Sequence, residues 1–360
     1  MDTARPTWGD IVLRLCKWSG LFAISRMLTR DGLRILCYHG FGTGEEVTFK
    51  PGLFIRPETF RRRLQHLKSA GYPVLSLPAA LTALANGSLR TGTSVITVDD
   101  LFYGFYVYAA PLLEEFDMPA TGYLTTYYCL HQRPVFRLLV RFMFWKTTIR
   151  DIDFRRIDPR LPNADMNTAR GRAEAEEDVV AFGEALDSET DRTALADRLA
   201  QLLEVDCSAI ISSRALAIVS EDEARELTRR GIDLQLHTHR HRLPEDETQV
   251  VREITDNRRV LRTIAHNTLE HFCYPSGIWS HYHWPLLRSL GVVSATTCDS
   301  GLNYSGTPPL ALKRILDAED VSEISFEAEV SGFKPLIRNL LRVIGLRRAE
   351  KEEAWPQPLT

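Results

Sequence analysis

Ser94-Val95-Ile96-Thr97-Val98-Asp99-Asp100 is a run suited to a buried β-strand that ends on two adjacent carboxylates. Ionised carboxylates at the end of a buried strand are costly unless they are solvated or paired with a cation. A single aspartate there is a common helix N-cap. A pair fits that role less well, whereas a bound cation accounts for both.

Comparable runs lie on either side: Leu33 to Tyr38 (LRILCY), Ala120 to Thr126 (ATGYLTT), Ile232 to Leu236 (IDLQL), Glu270 to Tyr274 (EHFCY) and Val292 to Thr297 (VVSATT). They are mostly apolar rather than strictly alternating, which suits parallel strands covered by helices on both faces. Helical patterns separate them. Phe60, Leu64 and Leu67 share a face between Pro57 and Ala70, with Gly71 as a stop; Ser220 and Glu223 form a capping-box pattern; Val250, Ile254, Leu261 and Ile264 form a stripe from about Glu247 to His266. The alternation of strand and helix predicts a parallel α/β fold. The stretch from about Cys129 to Val219 breaks this rhythm and is read as an inserted helical subdomain covering one side of the site.

At 360 residues, one large barrel with an insertion is admissible. With 44% hydrophobic and 25% charged residues and a net charge of -3, the chain lacks the global electrostatic footprint of a nucleic-acid binder. The six cysteines are dispersed without a CxxC pair and read as buried thiols in a reducing compartment. Arg5, Asp10, Arg14 and Lys17 interrupt the first apolar stretch, so no secretory signal is expected there. No run of roughly 18 uncharged apolar residues occurs, and the expected location is cytoplasmic.

Placing polar residues on these elements puts four groups after strands: His39 after LRILCY, Asp99 and Asp100, His237 to His241 after IDLQL, and Pro275 to Gly277 after EHFCY. Parallel α/β folds build their sites at the carboxyl ends of strands, so the four groups are predicted to converge. In His237-Thr238-His239-Arg240-His241 the outer histidines are four apart and so share one side of a turn. Two imidazoles plus one carboxylate, with positions left open, is the composition of a catalytic zinc or related divalent site. A solvated basic loop is the alternative, since Arg240 and Arg242 are also present.

SVITVDD with APLLEEFDMPATGYLTTYY resembles the first motif region of the polysaccharide deacetylase (NodB-like, carbohydrate esterase family 4) family. HTHRH is similar to the second motif of that family, FCYPSG to its third, and ATTCDSGLN followed by LKRI to a later segment. The resemblance covers roughly residues 33–128 and 220–315. It implies a distorted (β/α) barrel, with a divalent metal, expected to be Zn2+, held by Asp100, His237 and His241. Asp99 would be the general base, the backbone amide of Ser276 an oxyanion donor, Tyr274 a pocket-lining residue, and Arg314 a group orienting Asp99 or an ordinary salt-bridge partner. The implied reaction removes N-acetyl groups from amino sugars of a polysaccharide or glycolipid precursor.

Two departures matter. Leu101 replaces the usual glycine after the aspartate pair; if φ is positive there, leucine costs on the order of 1 to 3 kcal/mol, unless Gly104 absorbs the turn instead. No histidine follows His283, so the usual C-terminal acid is missing, and Cys37-Tyr38-His39-Gly40 resembles the YH motif from which a permuted branch takes that acid. The competing readings are an inactive glycan-binding or assembly protein and a deformylase of lipid-linked sugars.

The expected layout is an N-terminal helical segment at 1–30, the barrel at 31–128 and 220–320, the insertion at 129–219, and a C-terminal amphipathic helix and tail at 321–360. In the last of these, Phe333, Leu336, Ile337, Leu340, Leu341 and Ile344 form an apolar stripe, with Lys334, Arg338, Arg342, Arg347 and Arg348 as cations. Peripheral membrane contact and docking on the protein's own core are both open for that stripe.

Overall fold

All six runs form strands, and further strands join them. The computed structural model describes residues 7–162, 164–186 and 188–343. Its strands are β1 (Arg34–Tyr38), β2 (Gly40–Phe41), β3 (Phe54–Ile55), β4 (Ser94–Asp100), β5 (Ala120–Leu124), β6 (Asp233–Leu236), β7 (His271–Cys273), β8 (Ser294–Ser300) and β9 (Leu312–Leu316). β2 and β3 pair only with each other, while the other seven close into a barrel in chain order, β1-β4-β5-β6-β7-β8-β9. Each barrel pairing is parallel. The barrel is irregular where β6 meets β7 through the single pair Leu236↔Phe272, where β9 meets β1 through two pairs, and where the β8–β9 register shifts between Thr296 and Ser300.

Helices cover the outside of the barrel. The helix Pro57–Ser69 buries Phe60, Leu64 and Leu67, and it also buries Arg63, whose Nε donates to Asp317 Oδ2 at 3.0 Å. Ser220 caps the helix Glu221–Arg229: its hydroxyl accepts from the Glu223 amide, and the Glu223 carboxylate accepts from the Ser220 amide at 2.7 Å. The insertion holds the helices Phe136–Lys146, Ala169–Glu184 and Glu189–Leu202. Their buried Phe142, Val179, Leu195 and Leu199 belong to the same apolar cluster as Phe102 and Leu236 of the barrel region. The insertion therefore packs as part of the barrel's own core.

The N-terminal segment forms the helices Trp8–Trp18 and Leu21–Leu28, and the C-terminal segment forms Glu323–Val330 and Phe333–Val343. These four pack on one another, with Phe333 against Phe22 at 5.2 Å between ring centroids. The C-terminal stripe is thus partly docked on the protein: Leu336 and Leu341 are half-buried, while Ile337 and Leu340 are exposed. Ile344, Arg347 and Arg348 lie outside the described residues. Among the described residues, no helix is long and apolar enough to cross a membrane.

His271, at the start of β7, is buried beside Ser294, with 2.8 Å between its Nδ1 and the Ser294 hydroxyl. Burial lowers its pKa to about 4. Below the ordinary histidine value near 6.5, the unfolded chain takes up a proton that the folded chain refuses. Stability is therefore whole above about pH 6.5 and falls as pH drops to about 4, by on the order of 3 kcal/mol from this group. Urea melts at pH 7 and pH 4.5 should differ less in His271→Gln than in the parent; an equal difference in both would remove His271 from the account.

Candidate active site

The carboxyl ends of β1, β4, β6, β7 and β8 open into one cavity of about 470 Å3, a size usual for a small-ligand site. His39, Asp99, Asp100, His237, His241 and Ser276 all line it, so the four strand-end groups do converge. Tyr274 does not line it. Its ring is fully buried and its hydroxyl donates to the Leu310 carbonyl at 3.0 Å, because it ends the inward run of β7 rather than turning up into the cavity.

Asp100 Oδ1 lies 3.3 Å from Nε2 of His237 and 3.3 Å from Nε2 of His241. Donor atoms of these three residues all lie within 4.8 Å of one another. Nδ1 of His237 sits 2.9 Å from the Cys273 carbonyl, which can only accept, so Nδ1 carries a hydrogen and, in the neutral ring that ligates a metal, Nε2 presents a lone pair. That Nε2 is buried and has no hydrogen-bond partner among the described residues. A lone pair left bare in the interior, facing a carboxylate and a second imidazole, is the arrangement a divalent cation satisfies. The donor set therefore fits a metal.

The loop that carries the histidines is held from below by the helix Glu247–Ile264. Asn257, fully buried, accepts from the His237 amide at 3.0 Å and donates to Leu124 O and Thr126 Oγ1. Glu253 accepts from the Arg240 amide at 2.7 Å and from its guanidinium at 2.9 Å. Both acceptors sit on the apolar face of that helix. Polar residues at positions 253 and 257, within the stripe of Val250, Ile254, Leu261 and Ile264, were the available sign of them. His239 points away from the metal donors, buried against Thr126 with 2.9 Å between Nδ1 and Oγ1.

Asp99 has a different environment. Both of its oxygens accept from the fully buried Arg314, at 2.7 Å each. Burial pushes the Asp99 carboxyl up, but the Arg314 guanidinium, with His39 and His237, outweighs it and holds the group well below the usual carboxylate range. Nε2 of His39 stands 3.5 Å from Asp99 Oδ2. Burial lowers the His39 pKa, opposed by Asp99 and Asp100. Cys273 Sγ also reaches Asp99 Oδ2, at 3.3 Å, so thiols line the floor beneath the carboxylate.

The backbone around the site is strained. Asp100, Leu101, Thr238, His241 and Ser276 all have φ between +56° and +64°. Leu101 does occupy the left-handed region, and its buried side chain lies over Gly122, where an added Cβ would come within 2.8 Å of it. Gly104 does not absorb the turn: its φ is -60°. It is needed for a different reason, since a Cβ there would lie 1.7 Å from the Phe41 carbonyl.

The insertion supplies one wall of the cavity through Val135, Arg137, Leu138 and Arg141, and Lys50 faces them. Sequence reading placed the insertion beside the site but named none of these residues. Arg137 and Arg141 are held by Glu184 and Glu176, at 2.7 and 3.1 Å.

A family model described as polysaccharide deacetylase matches residues 197–295, which include β6, the histidine loop and β7. About a quarter of the chain is thus similar to that family. The aspartate pair on β4 lies outside the matched residues, and the barrel brings it to the histidines. Solved structures with this fold include a Streptococcus pyogenes deacetylase, PplD, in complex with acetate, at 18% identity over 83% of this chain and 98% of that one, with a TM-score of 0.55. IcaB from Ammonifex degensii aligns at 16% identity over 84% of this chain and 97% of that one, with a TM-score of 0.53. A de-N-acetylase from Aggregatibacter actinomycetemcomitans aligns at 14% identity over 82% of this chain and 99% of that one, with a TM-score of 0.51. At these identities the likeness concerns the fold. No match was found among curated proteins.

Proposed function

We propose that this protein is a member of the polysaccharide deacetylase family and a divalent-metal-dependent N-deacetylase that removes acetyl groups from amino sugars of a glycan or glycolipid. The observation that carries the reading is the bare Nε2 of His237, set with His241 and Asp100 beside the clamped carboxylate of Asp99 in one cavity. Asp100, His237 and His241 would hold the cation, with zinc as the expected metal. A divalent cation there lowers the pKa of water and polarises the acyl carbonyl.

Asp99 takes the proton of the attacking water, and Arg314 fixes the direction in which its oxygens point. The backbone amide of Ser276, a residue that lines the cavity, would donate to the tetrahedral oxyanion. The C–N bond then breaks, and His39 delivers a proton to the departing amine. Acetate and a free amino sugar result. One contact favours a second arrangement: with Nε2 of His39 3.5 Å from Asp99 Oδ2, the pair can act as a dyad in which the imidazole both takes and returns the proton.

Acetate and formate released from N-acetylated oligosaccharides and lipid-linked sugars are the measurement. Acetate is expected. Formate would assign the deformylase reading, and release of neither by metal-loaded protein would favour the glycan-binding one. His39→Ala should retain the metal and lose about 10²- to 10⁴-fold in rate, the usual contribution of a positioned acid. An unchanged rate would exclude His39 from either role.

A further inference from the structure

The helix Trp8–Trp18 is amphipathic, and its larger apolar face points outward. Leu13 and Cys16 pack inward, beside Phe22, Ile324, Ala328 and Phe333. Trp8, Ile11, Val12, Leu15 and Trp18, on the opposite side at spacings of three and four, are all exposed, the two tryptophans at 84% and 89%. The next helix extends this face with Leu21, Ile24, Met27 and Leu28, and the C-terminal helix adds Ile337 and Leu340. Eleven of the nineteen large exposed hydrophobics among the described residues lie on these three helices. Scattered apolar residues are ordinary on a surface; a contiguous face of this extent is an interaction site.

We infer that this face docks the protein on an anionic lipid bilayer. Tryptophans at both ends of one helix suit the membrane–water interface, where an indole keeps its N–H hydrated while its ring is buried. The charge is also of the right kind. The segment 8–30 carries Arg14, Lys17, Arg26 and Arg30 against the single acid Asp10, and 333–343 carries Lys334, Arg338 and Arg342 with no acid. Glu327 pairs with Lys17, Glu329 with Arg338 and Lys334, and Asp31 with Arg30, so the electrostatic pull is modest and apolar burial supplies most of the attraction. A second copy of the chain fits less well, because a two-fold interface would bring the same cations face to face.

The face is joined to the cavity wall. Asp10, in the first turn of the outer helix, accepts from the Ser322 hydroxyl, and Asp320 in the same loop donates its amide to Pro51 at 3.2 Å, next to cavity-lining Gly52.

Flotation of the full-length protein with phosphatidylcholine vesicles, with and without phosphatidylglycerol, is the test, run beside Leu15→Glu and Trp18→Glu. Both side chains are exposed and outside the catalytic cavity, so the variants should keep parental melting and parental activity on soluble substrate. The parent should float with the mixed vesicles and less with phosphatidylcholine alone, and each variant should lose at least about tenfold in partitioning, as expected when an apolar anchor is replaced by an anion. The inference is overturned if the parent stays in solution with both vesicles, if the variants float like the parent, or if lipid-free parent is a dimer that Trp18→Glu dissociates. None of these readouts depends on acetyl release, so the docking surface and the catalytic reading fail separately.

Discussion

His237→Ala and His241→Ala should each reduce bound metal from about one equivalent to a small fraction and abolish measurable turnover. Each change leaves two of three protein donors, and even changes to residues that merely orient a ligand cost about 10- to 100-fold in affinity or activity. The two variants should differ in stability. His237 is buried, with its ring held by the Cys273 carbonyl and its amide by Asn257, so alanine leaves a void and an unsatisfied carbonyl. His241 is more open and leaves less behind. Elemental analysis after gel filtration reads the first effect and thermal melting the second. Full metal occupancy in both variants would dismantle the proposed ligand set. Chelator treatment of the parent should reproduce the loss of activity, and readdition of zinc should restore it.

Asp99→Asn should leave the metal in place and lower turnover by about 10²- to 10⁴-fold, because an amide cannot take a proton from water. A second effect follows from the clamp. Arg314 is fully buried and both of its terminal nitrogens donate to Asp99. Removing the anion leaves a buried guanidinium without its counter-charge, which typically costs about 3 to 5 kcal/mol. Asp99→Asn should therefore melt several degrees lower, whereas Asp99→Asn with Arg314→Met should recover much of the stability and none of the activity. If the double variant regained turnover, Asp99 would be a structural partner of Arg314 and not the base.

The sequence displayed much of this site because its residues follow strands whose apolar runs mark themselves. SVITVDD and IDLQL end where a parallel sheet must present its carboxyl edge, so Asp99, Asp100, His237 and His241 could be expected together. The ninth strand gave no such mark. Leu312–Leu316 reads Leu-Lys-Arg-Ile-Leu, and its arginine is tolerated inside the barrel only because Asp99 lies opposite, 215 residues earlier in the chain. Whether Arg314 met Asp99 or made an ordinary surface salt bridge was thus a matter of barrel closure.

Leu101 shows the same division. Its identity announced a departure from glycine, but the neighbour that makes room for it, Gly122, belongs to the next strand and is found only by strand pairing. The N-terminal helices give the clearest contrast. The sequence marks 1–30 as an N-terminal helical segment, and the helix Trp8–Trp18 lies within it. Which face turns inward was decided by packing: Leu13 and Cys16 find Phe22, Ile324 and Ala328, and the wider stripe is left outside. Local pattern thus determined six of the nine described strands, several of the helices and the residue types at the strand ends. Closure of the barrel and the docking of helices decided which charges are paired, which leucine is accommodated and which apolar face remains uncovered, because these depend on contacts between residues far apart in the chain.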